Sequence, residues 1–368
     1  MTTEWLAPHL KGKLRPLFHN SNVAVFHGDM RKILPRLTGI HNCISDPPYG
    51  IGILGKSWDK AVPGPDFWQP LLEALRPGAH LLSFWGSRTY HRGTVAIEDG
   101  GFEIRDMVEW VYATGFPKSM DVSKAIDAAA GARRKVVTKK TSHRAPGGWA
   151  DMRNSGLFRA GATEFTVTAP ATAQARDWQG WGTSLKPAHE PITVARKPLC
   201  GTVAANVQEH GTGALHIDSC RIGGGKVRIM NGHRGTIKGQ HLAGLGPKAM
   251  RETTEGRWPA NLIHDGSEAV GREMGLGTQF FFVAKPAPKE RAGNDHPTIK
   301  PVALMRHLVR MTCRPGSVLV DPFGGSGTTG VAAVAEGVRC ILIEQDLHNC
   351  RTIIKRLQKA ACAEAMAN

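Results

Sequence analysis

Two short segments carry residue types whose spacing could do chemistry. In Asp46-Pro47-Pro48-Tyr49 a carboxylate, two proline carbonyls and an aromatic ring fall within four residues. That set suits an aromatic amine. The lone pair of such a nitrogen is delocalised into its ring, and a site localises it by accepting both N–H protons. Asp46 supplies one acceptor and a carbonyl of the Pro47-Pro48 pair a second, since proline fixes φ and carries no competing donor. Tyr49 offers a flat face for an extruded base. The second segment is Asp321-Pro322-Phe323-Gly324-Gly325-Ser326-Gly327-Thr328-Thr329-Gly330. Gly325, Gly327 and Gly330 satisfy the G-x-G-x-x-G spacing of a strand-to-helix turn that admits a nucleotide-like cofactor. No lysine follows the glycines, so this is not a phosphate-cradling P-loop.

These segments need elements to hold them. Ser317-Val318-Leu319-Val320 reads as a buried parallel strand ending at Asp321. A helix over 328–336 closes at Gly337, a strand over 339–343 ends at Glu344, and a last helix spans 347–365. Gly330 stands so near the end of the 368-residue chain that the remaining strands of an open α/β sheet must come from earlier. The N-terminal part supplies them: strands over 23–26, 42–45, 79–85 and 108–112, with helices through 30–37 and over 67–75. Asp29, Asp46, Asp321 and Glu344 then all sit at carboxyl ends of strands, where ligands of open α/β sheets bind. The fold class is therefore α/β, Rossmann-like and permuted, with the cofactor half C-terminal.

The charge points the same way. Lys and Arg number 47 against 31 Asp and Glu, giving +16 and a pI near 9.8, a field that attracts polyanions. Between about 131 and 292 glycines multiply and basic residues gather at Arg133, Arg134, Lys135, Lys139, Lys140 and Arg144, with Trp149, Trp178, Trp181 and Trp258 interspersed. Such residues neutralise phosphates and read base edges. Within this region Ile192-Thr193-Val194-Ala195 reads as a strand returning to the core sheet. The Gly-rich loop over 50–65, carrying Lys56 and Trp58, follows the catalytic segment and is a candidate for closing over a base. Seven scattered cysteines, none paired as C-x-x-C, argue for a reducing cytoplasm, and no histidine spacing suggests a metal. No apolar stretch suits a signal peptide or membrane span.

With these residues in place, the chain resembles the β-class amino DNA methyltransferases, whose catalytic segment precedes the cofactor segment. The resemblance lies at both ends of the chain. Asp46-Pro47-Pro48-Tyr49 matches the family's catalytic motif, in the Asp-first form more typical of N6-adenine than of N4-cytosine methylation. Residues 321–330 match its S-adenosyl-L-methionine loop. His296-Pro297-Thr298-Ile299-Lys300-Pro301, before a helix over 302–311, matches the segment over the methionine part of the cofactor. Lys300 and Thr298 would there suit a carboxylate. Asp29 is similar to the adenine-contacting strand end and Glu344 to the acid that binds the ribose hydroxyls.

The resemblance implies residues 1–130 as the catalytic half, 131–292 as a target-recognition insertion with partial return to the core, and 293–368 as the cofactor half. It also implies double-stranded DNA as partner, a homodimer, and a candidate cognate restriction endonuclease in a prokaryotic or phage setting. Trp68, Phe84 and Trp85 are the aromatics expected to furnish a dimer surface. Rival readings remain: N4-cytosine methylation, RNA or protein-amide methylation, and a nicotinamide-dependent dehydrogenase sharing the glycine fingerprint. Cytosine C5 methylation needs a Pro-Cys nucleophile, and no cysteine here follows a proline.

Overall fold

A computed structural model describes the chain except residues 1–3, 53–56, 114–118, 143–162, 224–226, 231–249, 254–255, 275–281, 284–298 and 368. In chain order the strands are β1 (Phe18–His19), β2 (Val23–His27), β3 (Asn42–Ser45), β4 (His80–Phe84), β5 (Glu103–Val111), β6 (Lys135–Ser142) and β7 (Thr163–Ala169). They continue with β8 (His189–Arg196), β9 (Val227–Met230), β10 (Met250–Thr253), β11 (Leu262–His264), β12 (Phe282–Val283), β13 (Val318–Asp321) and β14 (Arg339–Glu344). Among the described residues ten of these form one sheet, in the order β1-β2-β14-β13-β3-β4-β8-β5-β11-β12.

The two C-terminal strands thus lie between strands from the N-terminal part. β13 pairs in parallel with β14 on one side and with β3 on the other, and β14 pairs in parallel with β2. This is the permuted Rossmann-like α/β arrangement expected. Every residue of β3, β4 and β13 is buried, with Asn42, Ser45, His80, Ser83 and Asp321 as the polar members, as befits strands covered on both faces. The chain leaves β13 in one direction and β3 in the other, so a crevice opens at the carboxyl ends of these neighbours. Helix Val302–Thr312 buries Leu304 and Leu308 completely, each worth about 1.5–3 kcal/mol of transfer free energy.

β8 does return to this sheet, between β4 and β5 and antiparallel to both. β11 and β12 join it as well, beyond what the sequence suggested. The rest of the 131–292 segment includes two separate antiparallel hairpins, β6–β7 and β9–β10.

Two expectations are corrected. The helix foreseen through Leu37 is α-helical only over Met30–Ile33, then tightens to a 3-10 turn over Leu34–Arg36, because Pro35 supplies no N–H for the ladder. Trp68, Phe84 and Trp85 are fully buried, so they offer no dimer surface. Their rings fill the core beneath the catalytic segment, Trp68 lying edge-on to Trp85 at 6.1 Å.

Candidate active site

The four strand-end acids meet in one cleft of about 340 Å³, lined also by Pro47, Pro48, Tyr49, Trp58, Phe67, Lys300, Pro322, Phe323, Gly324, Gly325, Ser326, Thr328 and Thr329. They do different work there. Asp321 is a strut: its oxygens accept from the Ser45 hydroxyl at 3.0 Å, the Thr329 hydroxyl at 2.6 Å and the Phe323 amide at 3.1 Å. Only 2% exposed, its carboxyl is pushed up to about 6 by burial. Asp29 caps helix Met30–Ile33 through the Arg31 amide and pairs with the Arg31 guanidinium at 2.7 Å; that partner holds its pKa down. Glu344 accepts from the amides of Gly325 and Asp346, both at 2.8 Å, while burial raises its pKa.

The glycine turn is tied to the sheet and to the last helix. The Gly324 amide donates to the Ile343 carbonyl at 2.8 Å. Gly327 stands at φ +78°, immediately before helix Thr328–Ala335, and a Cβ there would meet Ile353 at 3.1 Å. At Gly330 a Cβ would lie 2.8 Å from Leu342, so helix and strand approach as closely as glycine allows. Arg356 donates to the hydroxyls of Ser326 and Thr328 at 3.0 and 3.1 Å. Phe323 stacks on Phe67 at 6.1 Å and 22°. The turn is edged by Asp29, Glu344 and Asp346. It fits a ligand with an aromatic ring, a diol to donate to carboxylates and a positive charge.

Asp46 leaves the end of β3 into a buried polar network. Its Oδ2 accepts from the Lys300 ammonium at 2.7 Å and its Oδ1 from the Tyr49 hydroxyl at 2.8 Å. Glu190 Oε2 lies 3.2 Å from the same ammonium and 3.1 Å from the same hydroxyl. Burial alone would lower the Lys300 pKa, but Asp46 and Glu190 raise it, so the ammonium stays charged. Burial, then Asp46 and Glu190, push the Tyr49 hydroxyl well up, and it stays protonated as a donor. The Tyr49 ring leans on Trp85 at 6.5 Å and lies so close to Gly86 that a Cβ there would come within 3.1 Å.

Sequence reasoning placed Lys300 on the cofactor's carboxylate. In the structure its ammonium sits instead between two carboxylates of the protein. It missed Glu190 altogether, for a physical reason: β8 runs antiparallel, so the beginning of this strand shares an edge with the ends of its neighbours. The visible signal was His189-Glu190-Pro191 opening a strand already expected to rejoin the core. His296 and Thr298 lie outside the described residues.

The basic candidates divide. Lys56 and Arg144 lie outside the described residues. Trp58 lies on the cleft and is 38% exposed. Arg133, Lys135 and Lys139 are exposed, and Lys140 belongs to β6. Arg134 is a correction: its guanidinium meets Asp127 at 2.6 Å, the Ser123 hydroxyl at 3.0 Å and the Thr168 hydroxyl at 2.9 Å, which makes it a brace and not a phosphate contact. Away from the cleft, one ligand atom each from Cys200, Glu209 and His210 comes within 4.8 Å of the others, a grouping that linear spacing did not suggest.

Several known proteins are similar to this chain. It is 39% identical over 67 residues to the DNA adenine methyltransferase YhdJ of Escherichia coli (strain K12), covering 18% of this chain and 23% of that protein. It is 42% identical over 65 residues to the putative methylase YubD of the same strain, covering 16% and 29%. The chain thus spans only about a quarter of the length of these curated relatives. Among solved structures, the M1.HpyAVI–SAM complex aligns with a TM-score of 0.43 at 16% identity, over 91% of this chain and 100% of that one. The cytosine-N4-specific PvuII DNA methyltransferase aligns with a TM-score of 0.48 at 15% identity, over 95% and 93%. A family model, described as DNA methylase of the N6/N4 type, matches residues 40–356, a span holding Asp46, Glu190, Lys300, the glycine turn and Glu344; the chain belongs to the N6/N4 DNA methylase family.

Proposed function

We propose that this protein methylates the exocyclic amine of a base in duplex DNA, with adenine N6 as the target and S-adenosyl-L-methionine, the family's cofactor, as donor. The observation that carries this reading is the Asp46 carboxylate, half-buried and lining a cleft that continues into an acid-edged glycine turn. When bound, S-adenosylmethionine supplies an electrophilic methyl on a sulfonium. Glu344 would take the ribose hydroxyls, Asp29 the adenine end, and the turn at Gly324, Gly325 and Ser326 the body of the cofactor, whose positive charge suits these acids.

The protein's own groups supply position and electrostatics. Asp46 accepts one N–H of the target amine and a carbonyl of the Pro47-Pro48 pair the other, which holds the nitrogen lone pair toward the methyl. Tyr49 lines the wall against which a flipped base would rest. Adenine is preferred in this reading because the catalytic segment opens with Asp rather than Ser. Arg133, Lys135 and Lys139, exposed beside or on β6, are the proposed phosphate contacts. A homodimer acting on both strands of a palindrome, and a cognate endonuclease, are the partners that go with this proposal.

Sequencing that detects modified bases, on DNA from cells expressing the protein, tests it. N6-methyladenine at a defined site is expected with the wild type and none with Asp46→Ala, whose rate should fall by about 10²–10³ or more while cofactor affinity holds. N4-methylcytosine would overturn the choice of base. Unmodified DNA with the wild type would overturn the function.

A further inference from the structure

Both oxygens of the Asp46 carboxylate are already engaged by the protein, Oδ2 by Lys300 at 2.7 Å and Oδ1 by Tyr49 at 2.8 Å. A target amine presented to Asp46 competes with these two donors for the lone pairs of the same carboxylate. Lys300 also donates to the Tyr49 hydroxyl at 3.1 Å, and both occupants have the same second carboxylate oxygen within reach: Glu190 Oε2, at 3.2 Å from Lys300 Nζ and 3.1 Å from the Tyr49 hydroxyl. We infer that Glu190 is a positioning residue for methyl transfer, the alternative partner that draws Lys300 and Tyr49 away from Asp46 when the amine arrives.

This inference rests on the function proposed above and adds to it a residue from β8. The charges explain why the exchange is easy. One buried ammonium lies between two carboxylates, and the longer of its two ion pairs exceeds the shorter by half an ångström, so a small swing of Nζ trades one partner for the other. The Tyr49 proton has the same choice between two acceptors. With Glu190 neutral, the ammonium would have a single carboxylate and would settle on Asp46 as a buried one-to-one pair, which is costly to break in a low dielectric. Glu190 itself is held firmly. It pairs in register with Trp110 of β5, and the carbonyl of the next residue, Pro191, accepts from the Trp85 amide at 2.9 Å. Burying such a network is weak support for stability on its own account.

The test measures kcat for methyl transfer to duplex DNA and calorimetric affinity for S-adenosylmethionine in four proteins: wild type, Glu190→Gln, Lys300→Met and the double variant. Glu190→Gln should lose roughly 10- to 100-fold in kcat, the scale of one charge-assisted hydrogen bond, with cofactor affinity unchanged. Glu190→Asp, which keeps the charge, should recover part of the loss. In the Lys300→Met background, Glu190→Gln should cost less than it does alone, because only the Tyr49 hydroxyl is left for it to restrain. Wild-type kcat in Glu190→Gln, or the same fold-loss with and without Lys300, overturns the inference. Should Glu190→Gln prove misfolded by its melting curve, Glu190→Asp is compared in the two backgrounds on the same readouts, with the same two outcomes deciding. A wild type that transfers no methyl group overturns the proposed function and this inference together. A wild type that methylates while Glu190→Gln matches it overturns this inference alone.

Discussion

Three carboxylates at neighbouring strand ends show how far identical chemistry diverges with surroundings. Asp321 is sealed among Ser45, Thr329 and the Phe323 amide and braces the turn. Asp46 faces the cleft with exchangeable donors on both oxygens. Glu344 lies between these cases: buried to 9% exposure, it accepts two backbone amides and still lines the cleft. Glu344→Ala should therefore weaken S-adenosylmethionine binding by about 1.5–3 kcal/mol, the worth of a charged hydrogen bond, with some further loss from the released Gly325 amide. Titration calorimetry checks this, and wild-type affinity in the variant would contradict Glu344 as a ribose contact.

At the scale of elements, the β6–β7 hairpin carries the clearest division of labour. Asp127, in helix Val122–Ala129, is buried, which opposes ionisation; even so the amides of Ala171 and Thr172, the Thr172 hydroxyl and Arg134 hold its carboxyl at about 2. Arg134 thereby fastens the hairpin to the helix, while Lys135 and Lys139 stand exposed on β6. Replacing Lys135 and Lys139 by Gln should flatten the slope of log affinity for DNA against log salt by roughly 0.9 for each phosphate left without its cation. Arg134→Ala should instead lower the melting temperature. Filter binding across a salt series separates the two effects: an unchanged slope in the lysine variant would place the phosphate contacts elsewhere.

The whole molecule carries a pH dependence built from buried and half-buried histidines. Burial lowers His41, His80 and His307 from 6.5 to about 4 each. Between those values the unfolded chain takes up protons that the folded chain refuses, so stability falls as pH drops from about 6.5 to about 4. Asp321 works the other way. Its folded pKa of about 6 exceeds the ordinary 3.8, so the folded state holds a proton that the unfolded state has released, and its contribution improves on acidification through the same window. Burial also lowers His9 and raises Glu344, one on each side, so the excess of imidazoles over carboxyls gives a net loss. The urea midpoint should be lower at pH 5 than at pH 7.5, and an equal or higher midpoint at pH 5 would contradict the buried, neutral state of these imidazoles.

What was legible in the sequence is what short range dictates. β13 and β14 carry apolar runs that end on Asp321 and Glu344, and β3 passes directly into Asp46. The late position of residues 321–330 sufficed to predict that the remaining strands of the sheet come from earlier in the chain; that β13 and β14 lie between β2 and β3 was decided by the fold. Tertiary structure alone decided which side chains face one another. Lys300 meets Asp46 across 254 residues of chain, and nothing in either neighbourhood signals the partner. Phe84 and Trp85, at the end of β4, looked like surface because a strand covered on both faces has no alternation to mark an inside, and Trp68 because its helix, Pro65–Ala74, turns its buried face to a sheet that only the fold supplies. Arg134 looked like its basic neighbours until Asp127 claimed it. Glu190 was hidden by strand direction: local residues determine that a strand forms, but whether its first or last residue reaches the active edge depends on the neighbours it pairs with.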